Sequence, residues 1–188
     1  PVRGRFLGYE IVSAPPPSSG GVHIVQIMNI LEGYPLADWG HNSAAYLHHL
    51  TEAMKLAYAD RSRYLGDPAY TEVPVEKLTD KAYAERLREQ IKPDRATPAE
   101  SIKPGAFMLR ESSDTTHFTV ADAEGNVVSN TYTLNFSFGS HIAVPGTGVL
   151  LNNEMADFAA QPGTPNAFRL VEGEANKIEA GKRPLSSM

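Results

Sequence analysis

The hydrophobic period of this 188-residue chain changes at Thr115. Before it, apolar residues recur every three or four positions, the period of amphipathic helices; after it, β-branched and polar residues alternate, the period of strands. Helices followed by antiparallel strands predict an α+β fold.

The first half opens with a predicted strand at 6–13, which Pro15, Pro16 and Pro17 stop. Ser18-Ser19-Gly20-Gly21 then predicts a helix with a serine as N-cap. Its apolar residues are Val22, Val25, Met28 and Ile24, Ile27, Leu31, and Gly33 and Pro35 close it. A longer helix is predicted from Asn42-Ser43 to Leu65, with Leu47, Leu50, Met54 and Tyr58 inward and a stop at Gly66 and Pro68. A third is predicted over 79–91, with Tyr83, Leu87 and Ile91 on one face and Pro93 at its end. The polar stretch 92–113, with Pro93, Pro98 and Pro104, predicts an exposed, mobile linker.

In the second half, 115–123 and 127–135 predict a hairpin around Glu124-Gly125-Asn126. With a three-residue loop, Ala123 pairs with Val127, Thr115 faces Asn135 and His117 faces Thr133. Thr131, Thr133 and Asn135 then share a face. A short apolar strand is predicted at Val149-Leu150-Leu151.

Composition excludes several functions. With no cysteine, there is neither disulfide nor thiolate catalysis. The net charge of −5 and the lack of a basic run argue against a nucleic-acid partner. No segment reaches the roughly 18 apolar residues of a membrane span. No phosphate loop, nucleophile elbow or zinc motif is present, and the adjacent His48 and His49 point in different directions on a helix, so no metal or cofactor is expected. The start at Pro1 and the stop after Ser186-Ser187-Met188 suggest a piece of something longer.

Four stretches carry candidate chemistry. Asp114-Thr115-Thr116-His117 ends the linker and begins a strand. A threonine freed at that bond would carry its own base, because the α-amine, with an ordinary pKa of about 7.7–8.0, can take the hydroxyl proton. Left uncut, the stretch is only good strand sequence. Thr131-Tyr132-Thr133-Leu134-Asn135 is the returning strand, equally readable as one solvated face of a hairpin. Glu154 and Asp157, after an apolar strand, could grip an ammonium group, although acidic loops are commonplace. Ser186 and Ser187, in Lys182-Arg183-Pro184-Leu185-Ser186-Ser187-Met188, could hold a carboxylate through backbone N–H groups.

Together, and in this order and spacing, these stretches resemble the γ-glutamyltranspeptidases. Pro15-Pro16-Pro17-Ser18-Ser19-Gly20-Gly21 and Ala59-Asp60-Arg61-Ser62-Arg63-Tyr64-Leu65-Gly66-Asp67-Pro68 extend the resemblance over the first half. It implies an N-terminal-nucleophile hydrolase fold of α-β-β-α layers, present here in part. Residues 1–114 would end the large subunit and 115–188 would begin the small one. It also implies a zymogen that cuts itself between Asp114 and Thr115, its two subunits remaining associated, and a periplasmic or extracellular location for the parent.

By position, Thr115 is the implied nucleophile and Thr133 its hydrogen-bonding partner. Asn135, Glu154 and Asp157 would hold the glutamyl α-amino end, and Ser186 and Ser187 the α-carboxylate. Glutathione is the implied donor, and an amine or water the acceptor. The family's substrate arginine and oxyanion glycines fall outside these 188 residues, which alone are expected to be inactive. Phe168 stands where some members have a lid tyrosine, whose hydrogen bond it cannot donate. The alternatives are a related acylase acting on another amide, such as a cephalosporin side chain, and a non-catalytic module.

Overall fold

A computed structural model of the chain describes residues 1–98, 101–102, 115–166 and 171–186. Asp114, Phe168, Ser187 and most of the expected linker lie outside them.

The predicted strand at 6–13 is instead a hairpin. Strands β1 (Val2–Phe6) and β2 (Tyr9–Ser13) pair antiparallel, from Val2↔Ser13 to Phe6↔Tyr9. The apolar pattern hid the turn, because Leu7 itself takes a positive φ of 49° beside Gly8 at 87°. Two such residues in succession make the tight reversal that suits the twist of paired strands.

Helix α1 (Gly20–Leu31) starts where expected, but Ser19 does not cap it with its side chain. The Ser19 Oγ instead accepts from Arg61 Nε at 3.4 Å, and Ser18 Oγ accepts from Gly20 N at 3.2 Å. A single turn, α2 (Leu36–Trp39), leads to the long helix α3 (Ala44–Tyr64), capped by Ser43 Oγ accepting from Tyr46 N. After the short α4 (Val75–Leu78), α5 (Lys81–Arg88) is capped by Asp80, which accepts from Tyr83 N. It is shorter than the predicted 79–91.

The inward face of α3 differs from the expected stripe. Leu47 is 45% exposed, whereas His49, Glu52, Ala53, Leu56, Ala57, Asp60 and Arg61 are buried. The helix turns charged residues inward because each finds a partner there. Lys55 and the Thr97 backbone meet Glu52, and Gln26 and Tyr83 donate to Asp60. Thr97 O in turn accepts from Lys55 Nζ, and Ile102 is buried in the core, so the stretch after Pro93 is tethered rather than wholly exposed.

One apolar cluster joins Ile30, Leu31, Ala53, Leu56, Ala59, Ala84, Leu87, Ile91 and Ile102. A second joins Val2, Val22, Val25, Leu65 and Leu78 to Leu185 from the far end of the chain. Burying a leucine is worth about 1.5–3 kcal/mol, so Leu185 anchors the distal loops to the helical half.

The second hairpin, β3 (Thr116–Ala121) with β4 (Val127–Tyr132), stands apart in a two-stranded sheet. Among the described residues, the rest of this half is loop, with 3₁₀ turns at Glu154–Asp157 and Glu174–Asn176. Val149-Leu150-Leu151 is not a strand. It makes a single bridge, Ala143↔Leu150, and all three side chains are exposed.

Candidate active site

Asp122 sets the register of the second hairpin. Its carboxylate accepts from Glu124 N, Asn126 N and Asn126 Nδ2, closing the loop two residues earlier than expected. The ladder runs from Ala121↔Val127 to Thr116↔Tyr132, and His117 faces Thr131 rather than Thr133. A shift of two preserves which side chains share a face. His117 Nδ1 lies 2.7 Å from Thr131 Oγ1, and Ser129 Oγ lies 3.1 Å from His117 Nε2. One step beyond the last pair, the ladder would bring Thr115 beside Thr133 rather than beside Asn135. Thr115 is exposed and makes no hydrogen bond among the described residues.

Asn135 leaves the hairpin face altogether. β4 ends at Tyr132, and Asn135 takes a positive φ of 75° and is buried. Asparagine tolerates that conformation better than most residues. The turn is held by Asn135 N donating to Thr133 Oγ1 at 3.0 Å. Asn135 Nδ2 donates to Asn153 O at 3.1 Å, and Phe136 N donates to Asn153 Oδ1 at 3.1 Å. Asn153, which the sequence did not single out, therefore locks the Thr133–Asn135 segment to the turn bearing Glu154 and Asp157.

Glu154 and Asp157 share a hydrogen bond. Burial first, then that bond and the charge of Asp157, push the Glu154 carboxyl up to about 7. Burial also raises Asp157, while Glu154 and the Arg61 cation oppose that rise. The Glu154 carboxyl is therefore partly protonated near neutrality.

Arg61 sits beneath them, ion-paired with Glu172; both side chains are almost wholly buried, 4% and 1% exposed. Burial raises the Glu172 carboxyl and Arg61 pulls it back. Nearby, His23 is pushed down to about 3 by burial and then by Arg61, so it stays neutral.

The Pro184-Leu185-Ser186 loop is fastened on both sides. Arg183 grips the buried Asp67 through Nε at 3.0 Å and Nη2 at 2.5 Å, with Arg183 N adding a third bond at 3.0 Å. Ser186 N donates to Pro17 O at 3.0 Å, and Ser19 N donates to Ser186 O at 2.7 Å. The Pro15–Gly21 and Ala59–Pro68 stretches are thus the seat of the distal loops. Gly173 N donates to Ser62 O at 2.8 Å. A Cβ on Gly66 would lie 2.3 Å from Ala175 O, so only glycine admits the 174–176 turn at that distance.

Of the expected site residues, Thr133, Asn135, Glu154, Asp157 and Ser186 are tied into one set of interlocked loops. Thr115 immediately precedes β3, whose last ladder pair is Thr116↔Tyr132. Asn153, Arg61, Glu172 and Asn176 emerge only from the structure. The visible signal for Arg61 was its place in the Ala59–Pro68 stretch.

A mixed α/β chain of this kind, helical first and antiparallel after, can be matched to known proteins. The family model for gamma-glutamyltranspeptidase matches residues 1–188, and the chain belongs to that family. It is 51% identical over 188 residues to the glutathione hydrolase proenzyme of Escherichia coli (strain K12), covering 100% of this chain and 32% of that protein. The crystal structure of Helicobacter pylori gamma-glutamyltranspeptidase matches at 48% identity with a TM-score of 0.54, covering 60% of this chain and 32% of that one. The cephalosporin acylase from Bacillus halodurans matches over 100% of this chain and 31% of its own, at 26% identity and a TM-score of 0.72. The chain spans about a third of the length of the curated relatives it matches.

Proposed function

We infer that the chain is the subunit junction of a self-cutting precursor of an N-terminal-nucleophile hydrolase with α-β-β-α layers. Residues 1–114 end its large subunit and 115–188 begin its small one. The processed enzyme takes the γ-glutamyl group from glutathione-like amides. The interlocking of Thr133, Asn135, Glu154, Asp157 and Ser186 on one helical base supports this reading within a chain of this family. It extends to a periplasmic or extracellular parent.

In the first step, Thr115 Oγ1 attacks the Asp114 carbonyl and the peptide nitrogen leaves as the new α-amine. Water then opens the resulting ester. In catalysis that amine takes the Thr115 hydroxyl proton as Oγ1 attacks the γ-glutamyl carbonyl, and it returns the proton to the departing amine. Thr133 steadies the Thr115 hydroxyl. Asp157, with Glu154 and Asn135, holds the substrate ammonium, and Ser186 and Ser187 hold its carboxylate. An amine or water then releases the acyl group.

The carboxylate pair and the serine loop suit a free amino-acid head group, which favours γ-glutamyl donors over the acylase alternative. The test is made on the full-length protein. It should yield a small subunit beginning Thr-Thr-His-Phe and release amine from a γ-glutamyl anilide, and Thr115→Ala should leave one uncut, inactive chain. Cutting at another bond, or turnover of a glutaryl amide but not of the γ-glutamyl anilide, sinks the reading.

A further inference from the structure

The ammonium and the carboxylate of an amino-acid head group hang from one carbon, so their separation is fixed. In the reading above they are met by two loops far apart in sequence, around Asp157 and around Ser186. One side chain joins these loops. Asn176 is completely buried. Its Nδ2 donates to Asp157 O at 2.8 Å, and its Oδ1 accepts from Leu185 N, the residue before Ser186, at 3.0 Å. Its backbone completes the frame: Asn176 N donates to Gly173 O at 3.2 Å, and Asn176 O accepts from Ala159 N at 3.0 Å.

The chemistry of the position is narrow. A primary amide offers a donor and an acceptor on one small planar fork. A carboxylate of the same shape accepts on both arms and would oppose the Asp157 carbonyl. The turn carrying Asn176 is itself fixed to the end of α3, through Gly173 N on Ser62 O, and to the residues just after it, through the close approach of Ala175 O to Gly66. The amide is therefore a rigid spacer on a rigid base. Binding constellations must be held to within about 0.5 Å, and displacements of about 1 Å can cost about a hundredfold in rate.

We propose that Asn176 is a positioning residue that sets the distance between the ammonium-binding and carboxylate-binding loops, so that both ends of the head group are gripped together. The proposal rests on the γ-glutamyl reading. It predicts a pattern across donors that a purely structural asparagine would not produce.

The experiment compares three anilides on the full-length enzyme: γ-glutamyl, glutaryl (no ammonium) and 4-aminobutyryl (no carboxylate). Asn176→Ala should lower kcat/KM for the γ-glutamyl anilide about ten- to a hundredfold, mainly through KM, and change the two truncated donors far less. Asn176→Asp keeps the acceptor for Leu185 N but loses the donor to Asp157 O. It should erase the preference over the glutaryl donor while keeping the preference over the 4-aminobutyryl donor. Equal losses on all three donors, no loss at all, or failure of both variants to accumulate as folded, cut enzyme would give Asn176 a structural role only and overturn the proposal. A wild-type enzyme silent toward the γ-glutamyl anilide would instead overturn the underlying reading and this inference with it.

Discussion

Removing Arg61 should expose the energetics of the buried pair directly. With side chains 4% and 1% exposed, Arg61 and Glu172 belong to the buried class of ion pair. Breaking such a pair by deleting one member costs about 3–5 kcal/mol, against about 0–1 kcal/mol at a surface. The pH dependence separates the two partners. In Arg61→Met the Glu172 carboxyl is left buried with Asp157 nearby, and its folded pKa climbs further above the ordinary 4.5. Between those two values the folded state holds a proton that the unfolded state has lost, so stability falls as pH rises. The deficit should therefore approach about 3–5 kcal/mol near pH 8 and shrink steadily toward pH 4.5. Glu172→Gln strands the guanidinium instead, which cannot shed its proton; because the parent's own raised Glu172 loses stability as pH rises, this deficit should shrink rather than grow with pH. The double variant Arg61→Met/Glu172→Gln should recover most of the loss. The assay is equilibrium urea unfolding of the full-length protein in a Thr115→Ala background, so that one uncut chain unfolds, with each variant read against its parent at the same pH. An Arg61→Met deficit below about 1 kcal/mol, or one independent of pH, or additive single losses, would refute the reasoning.

Glu154, raised to about 7, must ionise to meet an ammonium, so KM for amino-bearing donors should fall as pH rises through 7; Glu154→Gln should flatten that profile in steady-state kinetics. Gly66→Ala drives a Cβ into Ala175 O and should cost about 1–3 kcal/mol by urea unfolding, with a fall in kcat/KM as the 174–176 turn shifts. Asp67→Ala removes the double grip on Arg183, whose hydrogen bonds hold the Asp67 carboxyl well below the ordinary range. It should weaken the hold between the cut pieces by about 1.5–3 kcal/mol, seen as earlier separation on size-exclusion chromatography in rising urea.

Helices α1, α3 and α5 were legible because the serines at Ser18-Ser19 and Ser43 head the first two and the apolar spacing marks the bodies of all three, although the Asp80 cap of α5 was not read. The face of α3 was not, because apolar periodicity is blind to a helix that buries Glu52, Asp60 and Arg61 against partners elsewhere in the chain. The hairpin was legible but its register slipped by two, since the Asp122 carboxylate chose the turn. The motif stretches were the right ones to single out. What could not be read from them was how they interlock: Asn153 and Asn176 look like ordinary loop asparagines until their amides are seen joining distant backbones.

Leu185 shares a hydrophobic cluster with Val2, Val22, Val25, Leu65 and Leu78. A cut between Asp114 and Thr115 would thus divide the covalent chain without dividing the core. Before the cut, assembling that cluster is a unimolecular event. Afterwards it requires two molecules to meet, so refolding from urea should slow on dilution for the processed protein and be indifferent to dilution for the precursor. On the proposed cut, the expected order is that the chain folds first and is cut second, and a protein unfolded after such a cut would lose the advantage of being tethered to its own other half.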